Sequence, residues 1–145
     1  MENKEKKLAQ FNEMSPNTLM ETLGIRYVDM GEDYLVATMP VSPKVHQPDG
    51  ILNGGATMAL AESVGSPVSF LAIDPANSSV RGIAFTANHL RSVSSGLVTA
   101  TAQIVHRGKT IHLVDITVKD DAGHVISSCR LTNYIITRRS PKRDA

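Results

Sequence analysis

One segment near the middle of the chain limits the possible folds more than any other. It begins at Gly54 and Gly55, continues with residues that are nearly all apolar or small, and contains no proline before Pro67. This pattern predicts a helix from Gly54 to about Leu71, with Pro67 as a local kink or an early stop. A helix that is apolar on all its faces is buried, so the rest of the chain has to fold around it.

The segments on either side of this helix are typical of β-strands. Before it, residues 25–30 and 34–42 are rich in apolar and β-branched residues and flank a Gly-Glu-Asp turn, which predicts a hairpin. After it, residues 79–139 contain four long segments with apolar alternation, separated by short turns with Gly, Ser, Asp or Lys. We therefore expect a four-strand meander after the helix.

These elements together predict an α+β fold, a long antiparallel β-sheet wrapped around one buried central helix. Ser15 as N-cap and Pro16 as first helical residue predict a further short helix that ends at Gly24. Residues 1–14 are expected to be a flexible segment or a frayed helix, residues 15–138 one domain, and residues 139–145 a flexible tail. Because the edges and outer face of such a sheet usually need a partner chain, we expect at least a dimer.

Composition excludes several classes of function. Fifteen basic and fourteen acidic residues give a net charge of +1, which gives no reason to expect binding to nucleic acid or to an anionic membrane. The single cysteine excludes an intrachain disulfide and a cysteine-based zinc site. No apolar run is long enough to span a membrane, and the charged N-terminus does not resemble a secretory signal. A cytoplasmic location is the simplest expectation.

One carboxylate, Glu62, interrupts the apolar helix. At 100° per residue it lies on the same stripe as Gly55, Ser66 and Ser69. A solvent-facing stripe is the simplest interpretation. The alternative is a functional carboxylate, because a buried or half-buried Glu among small apolar residues is costly unless it has partners or a chemical role.

The N-terminus of the same helix offers a second functional element. The amides of Gly54, Gly55 and Ala56 have no acceptor within the helix, and without side chains at the two glycines a ligand can approach the backbone closely. Such an end can bind a phosphate or stabilise an oxyanion. Glu62 lies roughly 10 Å further along the axis, so it can serve a group at the N-terminus of a second, antiparallel helix in a dimer.

The segment from Val45 to Ser66, VHQPDGILNGGATMALAESVGS, resembles the hotdog-fold acyl-CoA thioesterases. It is most similar to the 4-hydroxybenzoyl-CoA thioesterases of the Arthrobacter type, a group that includes the enterobactin-pathway proofreading thioesterase and 1,4-dihydroxy-2-naphthoyl-CoA hydrolase. The resemblance continues in residues 88–93 and 106–132 and covers roughly residues 15–137. It implies the hotdog fold, hydrolysis of an acyl- or aroyl-CoA thioester to free acid and CoA, and assembly as a dimer or a tetramer of two hotdog dimers.

The resemblance also implies roles for individual residues. Glu62 would be the catalytic carboxylate, acting as nucleophile or as general base, and the Gly55 amide would donate to the thioester carbonyl oxygen. Gln47 would orient the thioester or the water, and Ser66 would form a hydrogen bond near the reacting group. The residues implied to contact the substrate or its CoA moiety are Arg81, Asn88, His89, Leu90, Arg91, Val105, His106, Arg107, Gly108, Lys109 and Thr110. Arg91, Arg107 and Lys109 are candidates for pairing with CoA phosphates, although each also fits an ordinary charge at a strand end.

The sequence departs from the family pattern at Asn53, where the family usually has His. An Asn side chain can donate a hydrogen bond but cannot carry a proton near neutral pH. Activity should survive if the usual His only positions the loop or the carbonyl, and should fall if that His helps to protonate the leaving thiolate. Asn53 therefore motivates an alternative function, a non-catalytic acyl-CoA binding protein with the same fold.

Two further expectations concern other chemistries. A hotdog dehydratase usually relies on a His paired with an acid across the site, and the central helix contains no His. The histidines at 89, 106, 112 and 124 are too scattered for a metal site. We expect neither a metal nor a cofactor, since coenzyme A is part of the substrate.

Overall fold

The structure is a computed structural model that describes residues 2–138. Its α-helices are α1 (Glu2–Glu13), α2 (Leu19–Leu23) and α3 (Gly54–Gly65), and its strands are β1 (Arg26–Met30), β2 (Tyr34–Val41), β3 (Ser78–His89), β4 (Gly96–Arg107), β5 (Ile111–Lys119) and β6 (Val125–Thr137). Short 3-10 turns cover Pro43–Val45 and Pro67–Ala72. One antiparallel sheet with a central helix confirms the predicted α+β hotdog arrangement.

The order of the strands across the sheet is β1-β2-β4-β5-β6-β3. The β1–β2 hairpin and the consecutive strands β4, β5 and β6 match the prediction. The expected four-strand meander is wrong for β3, which pairs with β6 at the far edge while β2 takes the place beside β4. The reason is that α3 carries the chain across the face of the sheet between β2 and β3, so that β3 enters at the opposite edge.

Helix α3 packs against the sheet with its apolar face. Leu60, Ala61 and Val64 are fully buried against core residues of several strands. At Gly65 an added β-carbon would lie 2.9 Å from Leu131 and 3.0 Å from Ile116, so helix and sheet approach closely at that point. The two methyl-bearing side chains already fill the space that a larger residue would need.

The prediction of a helix buried on all sides is wrong for one stripe of α3. Gly55, Met58 and Glu62 are exposed, because the sheet covers only the opposite face of the helix. The helix ends at Gly65, and Pro67 begins a 3-10 turn that continues to Ala72. Pro67 therefore acts as the early stop, since its ring excludes the hydrogen bond that would continue the helix.

The N-terminal region contains two short helices. Residues 2–13 form α1, which Asn12 ties to β1: its side-chain amide donates to the carbonyl of Tyr27, and its side-chain oxygen accepts from the amide of Tyr27, both at 2.9 Å. The rings of Phe11 and Tyr27 are 5.3 Å apart. The flexibility expected for residues 1–14 stays a prediction, and the tail at 139–145 lies outside the described residues.

Helix α2 begins later than the sequence predicts. Its N-cap is Thr18 and not Ser15, and it ends at Gly24, as predicted, with a φ of 69°. Glycine is favoured there because that left-handed conformation costs other residues more. Within residues 2–138, none of the helices is long and apolar enough to cross a membrane.

A buried polar network joins the 3-10 turn to the sheet. His112 is 2% exposed, and its Nδ1 lies 3.0 Å from Oγ of Ser69. Asn133 donates from Nδ2 to the same Oγ at 2.8 Å and to the carbonyl of Gly65 at 2.9 Å. A continuous helix would place Ser69 on the stripe of Glu62, but the change of geometry after Gly65 turns the side chain of Ser69 into the core.

We expect the stability of the protein to fall on acidification because of His112. Burial, together with the charge of Arg107, lowers the pKa of His112 below its ordinary value of 6.5. The unfolded chain takes up this proton near pH 6.5 and the folded chain only at lower pH, so protonation favours unfolding. Urea unfolding from pH 8 to pH 5 should show a free energy of unfolding that is flat above about 6.5 and falls below it, by at most about 1.4 kcal/mol per pH unit from this group. The control is His124→Gln, a change at an exposed position, which should show the same decline in the free energy of unfolding. A free energy of unfolding that stays constant below pH 6.5 in the wild type would contradict the expectation.

Candidate active site

The exposed stripe of α3 forms one wall of a groove of about 460 Å³, here called the Glu62 groove. Its lining residues are Leu19, Gly55, Met58, Ala59, Glu62 and Ser63. The groove therefore contains both the proposed catalytic carboxylate and the glycine whose amide is the proposed oxyanion donor. They lie on the same stripe, as predicted from the helical spacing, but seven residues apart on one helix, roughly 10 Å.

Glu62 is exposed, and its carboxylate lies beside strand β3. A β-carbon built on Gly82 of β3 would be 2.9 Å from Oε1 of Glu62 and 3.3 Å from Oγ of Ser66. Glu62 and Ser66 therefore lie together over the backbone of one glycine. Ser66 is the C-cap of α3, and its amide donates to the carbonyl of Glu62 at 3.0 Å. The two side chains are therefore neighbours, and the role of Ser66 near the reacting group stays a prediction.

Asn53 is the N-cap of α3, and its side chain accepts a hydrogen bond from the amide of Gly55. Its side-chain oxygen accepts from that amide at 2.7 Å, and its backbone amide donates to the carbonyl of Val45 at 2.9 Å. This is the ordinary way in which Asn satisfies a free N–H group at a helix start. The proposed oxyanion donor is therefore already paired with a neutral oxygen of the chain itself.

A second cavity, of about 300 Å³, lies at the N-terminal end of α3 and is here called the His89 cavity. Its lining residues are Gln47, Ile51, Leu52, Gly54, Thr57, His89, Leu90, Arg91, Ser92, Val93 and Ile126. Gln47 thus lines the His89 cavity and not the Glu62 groove. Its side-chain oxygen accepts from the amide of Asp49 at 2.5 Å, within its own turn. Within one chain, Gln47 and Glu62 are not brought into the same cavity.

The imidazole of His89 lies over the start of α3. A β-carbon on Gly54 would be 2.8 Å from Nε2 of His89, which explains why this position has no side chain. Nδ1 of His89 lies 3.0 Å from Oγ of Ser127, whose hydroxyl donates to the carbonyl of Asn88 at 3.2 Å. Nε2 of the same ring faces the start of α3.

The residues predicted to contact CoA fall into two groups. Asn88 and His89 end β3 and Leu90 and Arg91 follow it, and the last three of these residues line the His89 cavity. The other group, Val105, His106, Arg107, Gly108, Lys109 and Thr110, lies at the end of β4 and the turn to β5. Arg107 donates to the carbonyl of Ala72 at 3.4 Å, and the carbonyl of Thr110 accepts from Ile135.

The register of the sheet shows that the two groups are distant from each other in one chain. Arg107 pairs across the strands with His112, Asn133 and then Gly82, whereas His89 is level with Ser127. Gly82 and His89 are seven positions apart on β3, which is about 23 Å along the strand. Arg81 lies on β3 next to Gly82 and donates to Oγ of Ser79 and to the carbonyl of Val80. Within one chain the two groups therefore lie toward opposite ends of the strands.

Two features of the site were missed by the sequence analysis. Gly82 was not singled out, since its importance depends on the packing of β3 under α3, which no local pattern reports. The cap formed by Asn53 could have been found, because Asn directly before a predicted helix is a strong N-cap signal. Asn53 was compared with the His of the family as a positioning group and as a proton carrier, but not as the N-cap that pairs with the Gly55 amide.

The chain matches the thioesterase superfamily over residues 49–127, more than half of its length. It is a member of the thioesterase superfamily. The proofreading thioesterase EntH of Cronobacter turicensis is 39% identical to it over 129 residues, which are 89% of this chain and 93% of that protein. Thioesterase HI1161 from Haemophilus influenzae has a similar solved structure, with a TM-score of 0.88, 35% identity and 94% coverage of both chains. A mutant of thioesterase PA1618 from Pseudomonas aeruginosa gives a TM-score of 0.88 at 40% identity, covering 90% of this chain and 94% of that one.

These likenesses confirm the predicted family, the hotdog fold and the class of enzyme, a hydrolase of thioester bonds. The narrower assignment to the 4-hydroxybenzoyl-CoA and dihydroxynaphthoyl-CoA group stays a prediction. The same holds for the roles of the individual site residues, the acyl-CoA substrate, the oligomeric state and the cytoplasmic location.

Proposed function

We propose that this thioesterase hydrolyses an acyl- or aroyl-CoA thioester to the free acid and CoA. The observation that carries the proposal is the exposed stripe of α3, where Glu62 and Gly55 line one groove in a member of the thioesterase superfamily. A thioester carbonyl is electrophilic and its thiolate is a good leaving group. One carboxylate and one oxyanion donor at a helix N-terminus are therefore sufficient for the reaction.

In the proposed mechanism Glu62 acts in one of two ways. As a nucleophile it attacks the carbonyl carbon, the C–S bond breaks, CoA leaves as the thiolate, and water then cleaves the mixed anhydride to the free acid and regenerates Glu62. As a general base it takes a proton from a water that attacks the same carbon, and the C–S bond of the tetrahedral adduct breaks to release CoA, whose thiolate takes up a proton. The negative charge that develops on the carbonyl oxygen is stabilised by the Gly55 amide and by the dipole of α3. Because that amide donates to the side-chain oxygen of Asn53, the carbonyl oxygen has to displace that oxygen. The reaction needs no cofactor, since CoA is part of the substrate.

We further propose that each site contains residues of two chains. Strand β3 lies at an edge of the sheet, and its residue Ile83 is 59% exposed, close in sequence to the glycine under Glu62. Antiparallel pairing of two β3 edges would cover this apolar surface and bring the two α3 helices alongside each other. Glu62 of one chain would then face the helix N-terminus and Gln47 of the other. A tetramer of two such dimers and a cytoplasmic location remain part of the proposal.

The test of the proposal is thiol release from a panel of aromatic and aliphatic CoA esters. Each ester is paired with the N-acetylcysteamine thioester of the same acyl group, which lacks the nucleotide. We expect turnover of at least one CoA ester, with kcat/KM roughly tenfold or more above that of its paired thioester, since charge-assisted contacts to phosphates are lost in the latter. Absence of turnover on every ester would contradict the proposal.

The second candidate function is a non-catalytic acyl-CoA binder, and the observation that favours it is the paired state of the Gly55 amide. If Asn53 is not displaced, the groove binds a thioester without stabilising its oxyanion. Calorimetry with the same CoA esters separates the two functions. Binding without thiol release would support the binder, and binding with thiol release would support the enzyme.

A further inference from the structure

Gly82 has no conformational reason to be glycine. In the described residues, the glycines with positive φ are Gly24, Gly50, Gly96 and Gly123, and Gly82 is not one of them. Its backbone conformation is therefore open to residues with a side chain. The reason for glycine has to be found in the atoms that surround it.

Those atoms belong mainly to the proposed active site. The β-carbon of an alanine at position 82 would lie 2.9 Å from Oε1 of Glu62, closer than a real carbon and oxygen approach, and 3.3 Å from Oγ of Ser66. The third neighbour is a methyl group of Leu131, also at 3.3 Å. The contact with the carboxylate is the shortest, and the Ser66 and Leu131 atoms would each have to move by only a few tenths of an ångström. The carboxylate of Glu62 therefore occupies the space that a side chain at position 82 would need.

The strand is also irregular at this point. The register between β3 and β6 shifts between Gly82 and Ala84, which identifies a β-bulge directly beside Glu62. Bulges bend a strand and change the direction of the neighbouring side chains. The bulge and the glycine together let the carboxylate of Glu62 lie against β3 beside the hydroxyl of Ser66, at the edge of the groove.

We infer that Gly82 is a positioning residue for thioester hydrolysis: by having no side chain, it fixes where the Glu62 carboxylate lies. The inference rests on the proposed function, in which Glu62 carries the chemistry. Glutamate is flexible, so a methyl group at position 82 moves the carboxylate and leaves the fold intact. A displacement of about 1 Å at a reacting group can lower a rate by roughly 10²-fold.

The test compares Gly82→Ala with wild type on the CoA ester that the panel shows to be turned over fastest. We expect kcat to fall roughly 10²-fold, with KM and the melting temperature nearly unchanged. Gly65→Ala is the matched control, because its added methyl meets the core residues Leu131 and Ile116 instead of the carboxylate. That variant should lower the melting temperature and should not share the selective loss of kcat.

A second comparison separates positioning from a general disturbance of β3. Glu62→Asp shortens the side chain and withdraws the carboxylate from position 82. Gly82→Ala should therefore cost much less in the Glu62→Asp background than in the wild type. An equal reduction of kcat in both backgrounds, or a wild-type kcat in Gly82→Ala, would overturn the inference. The proposed function would still be tested separately by Glu62→Gln. Absence of turnover by the wild type would overturn both.

Discussion

Glu62→Gln is expected to lower kcat on the preferred CoA ester by roughly three orders of magnitude. The amide has the same shape as the carboxylate, but it neither attacks a carbonyl carbon nor takes a proton from water at neutral pH. Because Glu62 is exposed at the edge of a groove, the replacement should leave KM and the melting temperature close to the wild-type values. The loss should therefore be confined to the chemical step.

The measurement is the steady-state kinetics of thiol release, with thermal unfolding of the same samples. Glu5→Gln is the matched control, since it makes the same change at an exposed position on α1 and should retain wild-type kinetics. A kcat of Glu62→Gln within a few-fold of wild type would exclude Glu62 as the catalytic carboxylate.

Glu62→Gln also tests whether the site is shared between two chains. Gly55→Pro removes the proposed donor N–H in the first turn of α3, where proline is tolerated best. If Glu62 of one chain acts with Gly55 of the other, a mixed dimer of the two inactive variants contains one intact site. Unfolding and refolding an equal mixture should then recover about a quarter of the wild-type activity, from half of the dimers with one site each. No recovery, with mixed dimers present, would place both residues of a site in one chain.

Asn53→Asp is expected to lower kcat by about 10²-fold while it maintains or raises the melting temperature. A carboxylate at the N-cap satisfies the Gly55 amide as Asn53 does and interacts favourably with the dipole of α3. It therefore holds the donor N–H more firmly, and its charge also repels the negative charge that develops on the thioester oxygen. More stable protein with a slower reaction is a combination that general damage to the fold would not produce.

Asn53→Gly is the opposite change at the same position. Glycine is an acceptable N-cap that costs only a few tenths of a kcal/mol relative to Asn, and it leaves the Gly55 amide free. We expect kcat/KM to rise about two- to tenfold, the value of one hydrogen bond that the substrate no longer has to displace. If both variants change kcat/KM in the same direction, Asn53 does not compete with the substrate for this amide.

Asn53→His then addresses the departure from the family pattern. If the usual His protonates the leaving thiolate, this variant should accelerate the reaction beyond Asn53→Gly. Equal rates for Asn53→His and Asn53→Gly would show that removal of the Asn53 side-chain oxygen accounts for the whole increase in rate.

Several features of the protein follow from the sequence alone, because they depend on neighbours along the chain. The start of α3 at Gly54, its stop before Pro67, the β1–β2 hairpin and the end of α2 at Gly24 all depend on local backbone preferences. The common stripe of Gly55 and Glu62 depends only on the helical repeat. The family was recognisable because its motifs combine these local signals in a specific order.

The tertiary structure decided what depends on contacts between distant segments. The position of β3 beyond β6 is set by the crossing of α3 over the sheet, and no pattern within β3 encodes it. The same crossing places Gly82 under Glu62, separates Gln47 from the Glu62 groove, and turns Ser69 toward His112. Sequence periodicity specifies which face a residue occupies on its own element, but the neighbour across that face is chosen by packing, which involves the whole chain.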